Sequence, residues 1–166
     1  QWLTGMTVGA DLTLYRPYHL AHHKFTQQAN DPDLGLAAHF PIKPESFRRK
    51  MIRDLTGQTF FKQQIAPFAS IIRGQLHHAR AAVHGRWLAA QVVIFAVFAL
   101  SGQAWAFFTI WMVAQASWYP MVTRIRNIGE HACATPDPSD PWKLARTTHA
   151  NWIERLLIAP YWVHFH

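Results

Sequence analysis

The chain has a single cysteine, Cys133, which excludes an internal disulfide and any cysteine-held iron–sulfur cluster. That cysteine usage is compatible with a reducing compartment. Acidic residues are scarce too: Asp and Glu total 9 against 16 Lys and Arg, a formal charge of +7. With so few carboxylates and 11 histidines, any metal cluster here is held mainly by nitrogen. No glycine-rich dinucleotide fingerprint and no haem-attachment motif is present. Gln1 carries neither an initiator methionine nor a signal-peptide pattern, and the chain stops at His166 just after an aromatic-rich run, so it is expected to be a fragment.

Charge itself is missing over one long stretch. From Trp87 to Val122 there is no Asp, Glu, Lys or Arg, and Ser101-Gly102-Gln103 divides the stretch in two. Ala104 to Val122 is long enough to cross a hydrocarbon core of about 30 Å, and Trp87 to Leu100 reaches that length only if its helix begins before Arg86. Two membrane helices joined by a tight turn are therefore expected over about 87–122. Trp87, Trp105, Trp118 and Tyr119 near the ends fit an aromatic belt. A buried hairpin in a soluble bundle is the alternative, and the absence of charge argues against it. The basic residues could suggest nucleic acid, yet Arg73, Arg80, Arg86, Arg124 and Arg126 flank the apolar block, as on the cytoplasmic face of a membrane. Both ends of the hairpin then lie on the cytoplasmic side, and no nucleic-acid partner is expected.

The histidines cluster ahead of this block. Pro17-Tyr18-His19-Leu20-Ala21-His22-His23 predicts a helix from about Pro17, which suits a first helical position, to Gln28, with Asn30-Asp31-Pro32-Asp33 ending it. His19, His22 and His23 at i, i+3 and i+4 fall within an arc of about 100° on that helix, the geometry of a metal grip. Residues 1–16, interrupted by Gly5, Gly9 and Asp11, are read either as the end of a preceding membrane element or as a buried turn. Between Ile42 and Gly57 a second helix sets Phe47, Met51, Ile52 and Leu55 against Arg48, Arg49, Lys50 and Arg53, a pattern that lies in the lipid headgroup plane. A surface helix packed on protein is its alternative. His77, His78 and His84 are read as interfacial side chains outside the site.

After the hairpin, Asn127 and His131 stand at i and i+4 close to the membrane boundary, so His131 is placed to meet the first group. The chain then runs through Ala159-Pro160-Tyr161 to His164-Phe165-His166. Spacing alone leaves the metal open, since three histidines on one helix also suit a zinc that activates water.

These motifs together resemble the membrane fatty acid desaturase family, bacterial branch. The matching residues are the H-x-x-H-H box of His19, His22 and His23 with its trailing Asp-Pro-Asp, the N-x-x-x-H group after a two-helix hairpin, and the ending that approaches a last histidine box at His166. The resemblance covers nearly the whole chain as one domain over 1–166. It implies an all-α integral membrane protein, with a two-helix transmembrane hairpin and cytoplasmic-side helices carrying the histidine boxes. It also implies a di-iron centre that uses O2 to introduce a double bond into a fatty acyl chain, in a bacterial inner membrane. The implied ligands are His19, His22, His23, His131 and His166, with Asn127 bound weakly through water or orienting a ligand and with Asp31 and Asp33 fixing ring tautomers. Glu130 is either an orienting group or a solvated helix residue, while His149 and His164 are not assigned. A further box would lie upstream of Gln1 and the last histidine pair beyond His166, so the chain as given should bind iron poorly. Electrons would come from an external ferredoxin-like or cytochrome b5-like donor, and the basic surface suits an acidic carrier. A hydroxylase or ketolase of the same architecture and a membrane zinc hydrolase are the alternatives.

Overall fold

Asp11, rather than Pro17, starts the helix that carries the histidine triple. In the computed structural model, which describes residues 2–26, 28–34, 40–74, 78–132, 146 and 151–153, the Asp11 carboxylate accepts the backbone N–H of Thr13 at 2.8 Å and of Leu14 at 3.3 Å. It satisfies two donors that a first helical turn leaves over. Helix α2 (Leu12–Phe25) therefore contains Pro17, whose missing N–H removes one intrahelical bond. Partial burial works against the Asp11 charge, but the Thr13 hydroxyl, the Thr13 and Leu14 amides and the Arg86 guanidinium outweigh it and hold the carboxyl below its usual range. Residues ahead of it form a short helix, α1 (Trp2–Val8), and Gly9 turns the chain at φ +73°.

Contact density groups the chain into two compact units, Gln1–Arg16 with Pro44–Val122, and Pro17–Lys43 with Thr123–His166. In the first, α3 (Pro44–Leu55) has the two-sided character expected of it, and Gly57 ends it at φ +78°, which only glycine adopts without strain. Its Asp54 is fully buried and accepts the Thr59 hydroxyl, an anchor the sequence pattern does not announce. Next come α4 (Gln58–Phe60), a π-helical stretch (Phe61–Ile65) and α5 (Ala66–Ile72). His84 packs against Phe68 and bonds the Arg80 carbonyl at 2.9 Å.

Helix α6 (His78–Leu100) does begin ahead of Arg86, as a membrane-crossing length requires. After a turn with Gly102 at φ +75°, the chain returns through α7 (Ala104–Ala106), two π-helical stretches (Phe107–Met112 and Ala114–Trp118) and α8 (Tyr119–His131). The two arms run antiparallel, because Phe95 meets Phe107 at 5.2 Å between centroids, Gln91 meets Trp111, and Trp87 meets Gln115. Polar groups hold them at mid-height. The Gln91 carbonyl accepts Trp111 Nε1 at 2.8 Å and Gln115 Nε2 at 3.1 Å, and its amide donates to the Thr7 carbonyl of α1 at 2.9 Å. Trp87, Ala90, Ala106, Phe107 and Phe60 form the buried core beside this network.

Among the described residues, one helix, Arg80–Leu100, is long and apolar enough to cross a membrane. Only 22% of its apolar window is buried by protein, which is not how a soluble core helix sits. The second arm, divided by its π stretches, does not meet the same measure.

Candidate metal centre

The candidate centre lies in the second unit, where the histidine end of α2 meets the residue 28–34 turn and the histidine end of α8. The triple on α2 does not close as one grip. Side-chain rotamers divide it into two pairs: His19 Nε2 lies 2.9 Å from His23 Nε2, and His22 Nε2 lies 3.0 Å from His131 Nε2. The second pair joins residues far apart in sequence, its rings are nearly perpendicular, and both side chains are almost wholly buried. His19 and His23 are half-buried.

His22 is fixed from behind. Its Nδ1 lies 2.7 Å from Asp31 Oδ1, a carboxylate that is itself buried and accepts the Asp33 backbone N–H at 2.8 Å. A neutral imidazole so placed has its proton on Nδ1, an assignment from the hydrogen-bond partner, and its lone pair on Nε2. Asp33 Oδ2 stands further off, 3.9 Å from the same nitrogen. The Tyr18 hydroxyl donates to the Asp33 carboxylate and lies 3.2 Å from the Pro32 carbonyl, tying the Asp-Pro-Asp turn to α2. Buried Thr26 donates its hydroxyl to the His22 carbonyl at 2.7 Å and closes the end of the helix. Sequence reasoning missed both. Tyr18 carries no metal-ligand signature, and the only signal for Thr26 is its place four residues after His22.

Asn127 lies one helical turn before His131 and is half-buried, and its Oδ1 is buried with no hydrogen-bond partner among the described residues. Glu130 is not the solvated helix residue that one sequence reading made it. It is buried, paired with Arg126 Nε at 2.7 Å, and its backbone carbonyl accepts the Arg146 N–H at 2.8 Å. His166, His149 and His164 lie outside the described residues, as do His77 and the side chain of His78.

The donor set fits a transition metal, as pairs. Adjacent ligands at right angles on bonds of about 2.1 Å would hold their nitrogens about 3.0 Å apart, the spacing found in both pairs. Imidazole nitrogens with a carboxylate behind the ring suit iron, zinc or copper. Among the described residues no group of three or more His, Cys, Asp or Glu is arranged to hold a metal, so each pair needs further ligands.

No curated protein and no solved structure matches the chain. The family model described as fatty acid desaturase matches it over residues 1–166. With that match spanning both histidine pairs and the apolar hairpin between them, the chain belongs to the fatty acid desaturase family, membrane-bound oxidoreductases of lipid metabolism.

Proposed function

We propose that the protein, as one desaturase-like domain over 1–166, contributes to a membrane-bound, O2-dependent di-iron enzyme that introduces a double bond into a fatty acyl chain. The observation that carries this reading is the buried contact of His22 with His131, backed by Asp31. A solvated or merely interfacial histidine has no use for such an arrangement. His19 with His23, and His22 with His131, would hold the metals together with His166. Asn127 would offer its unpartnered Oδ1 to metal-bound water or to a ligand ring.

The reaction removes two hydrogens from adjacent unactivated methylenes. No side-chain base takes a proton from such carbon at a useful rate, so when bound the iron pair supplies an oxidant drawn from O2 and two electrons, with both oxygen atoms leaving as water. The chain's own residues do the positioning. Asp31 holds the His22 proton at Nδ1 and leaves Nε2 free to bind, Tyr18 and Asp33 keep the turn behind it in place, and burial of His22 and His131 keeps bulk water from the pair. Both arms of the hairpin would cross the bilayer, placing an acyl substrate along them, with the metal site on the cytoplasmic side of a bacterial inner membrane. An external ferredoxin-like or cytochrome b5-like donor would deliver the electrons.

Metal analysis of the detergent-purified protein with the family's complete set of histidine boxes, joined to mass spectrometry of lipid products, tests the proposal. Iron bound and lost in His22→Ala and His131→Ala but not in His84→Ala, with products two hydrogens lighter, is the expected result. Zinc without iron would overturn it in favour of a hydrolase, and an added oxygen would make the enzyme a hydroxylase or ketolase.

A further inference from the structure

Helix α3 borders two hollows that share a wall. One, of about 490 Å³, lies over Arg49, Lys50 and Arg53, with Ser46 and Gln58 at its edges. The other, of about 280 Å³, is apolar and lies between Leu55, Phe60 and Phe61 on one side and Phe108, Met112 and Val113 of the hairpin's second arm on the other. Thr56 lines the apolar hollow, and its hydroxyl accepts Gln58 Nε2 at 3.1 Å while Gln58 lines the basic one. The left-handed turn at Gly57 makes this junction, setting the Gly57 backbone close to Ala116.

Arg49 and Arg53 are exposed and have no ion-pair partner among the described residues. The acids on the same helix are Glu45 in its first turn and Asp54, which is buried and held by Thr59. Beside these cations Ile52, Leu55 and Phe61 are 48%, 42% and 58% exposed. Cations and uncovered apolar side chains on one short surface match a ligand that is anionic at one end and apolar at the other. The position of α3 agrees, since it packs against Ala114–Trp118, at the end of the hairpin away from the Ser101–Gln103 turn. Exposed Trp118 and Tyr119 mark that end as the level of lipid headgroups.

We propose that an anionic phospholipid binds here, with its phosphate on Arg49 and Arg53 and an acyl chain in the adjoining apolar hollow. This rests on the membrane placement of the hairpin proposed above, and not on the metal centre. The lipid proposed here is a retained structural one and not the acyl substrate.

The test titrates the full chain, in neutral detergent, with phosphatidylglycerol and with phosphatidylcholine of the same acyl chains, and counts bound lipids by native mass spectrometry. The wild type should favour phosphatidylglycerol, and Arg49→Gln with Arg53→Gln should lower that preference by about thirtyfold. Arg48→Gln, which removes one charge from the same helix outside the hollow, should keep the preference that Arg49→Gln alone weakens. Because Arg49 and Arg53 are exposed, the double variant should melt with the wild type. Equal loss in Arg48→Gln would overturn the site as a diffuse charge effect. Displacement of the lipid by equimolar inorganic phosphate would make it a free-phosphate site, and lost coupling to an acidic electron carrier with lipid binding intact would make it a protein interface. Alkaline carbonate extraction separates the two levels: release of the wild type from membranes defeats the membrane placement, whereas retention without headgroup preference defeats this inference alone.

Discussion

Asp31 turns His22 from a rotatable ring into a fixed one, because its carboxylate accepts the Nδ1–H hydrogen bond in a site where water cannot compete. Removing the acceptor should release the ring and expose a buried donor at once. We expect Asp31→Ala to lower iron affinity on the order of 10- to 100-fold, read as iron retained against a chelator, and Asp31→Asn to lower it less because its carbonyl still accepts that hydrogen bond. An affinity unchanged in both variants would remove Asp31 from the centre. Asp11 is the second carboxylate with a definite electrostatic role. Its acidity is raised in the folded chain, so its stabilising contribution is present above the usual carboxylate range and is lost as pH falls through the lowered value. The stability gap between wild type and Asp11→Ala should therefore shrink on acidification below about pH 4, followed by thermal melting. His22, His131 and Asp31 were legible as candidates because i, i+3, i+4 spacing and an acid-rich turn are visible in a sequence. The division of the histidines into pairs was not, since ring rotamers leave no trace in spacing.

At the scale of the element, the helix that carries the site begins where a cap exists rather than where a proline permits. Pro17 is a plausible first residue, but Asp11 offers its oxygen to two amide donors, and that outweighs one intrahelical bond lost at Pro17. The apolar stretch was legible from its missing charges, and the length a bilayer needs set the condition that its first helix begin ahead of Arg86, which α6 meets. Its polar interior was not. Gln91 and Gln115 sit among apolar residues, and only the packed structure shows them meeting Trp87, Trp111 and the Thr7 carbonyl. Gln91→Leu would leave the Trp111 and Gln115 donors without that acceptor. An unsatisfied buried donor costs about 1–3 kcal/mol in a protein core, while side-chain bonds between membrane helices average about 0.6 kcal/mol. A loss of about 1–2 kcal/mol is expected in detergent unfolding titrations. The Gln91→Leu, Gln115→Leu double variant should cost less than the sum of the singles, because it removes partners together. Strict additivity would show that the two glutamines act independently.

For the whole molecule, the decisive question is what covers the hairpin. Leu88, Val92, Val93, Val97 and Leu100 on α6 all stand exposed. Left in water they would forgo on the order of 5–10 kcal/mol relative to burial, comparable to a typical domain's entire stability. Lipid removes that penalty, and Arg86 at the boundary meets Asp11 instead of entering the apolar layer unpaired. If both arms cross, the Ser101–Gln103 turn and the Gln63 region must face opposite compartments. Cys133 is the one native cysteine, so Cys133→Ser gives a background free of thiols. In it, Ser101→Cys and Gln63→Cys, both exposed positions, should react with a membrane-impermeant maleimide from opposite sides of sealed vesicles. The positive-inside tendency further requires Gln63→Cys to react from the side that carries Arg80 and Arg86, the cytoplasmic one. Labelling of both from one side would mean that the hairpin lies along the membrane or enters without crossing. The second arm, with its two π-helical stretches, would then be the part that fails to span.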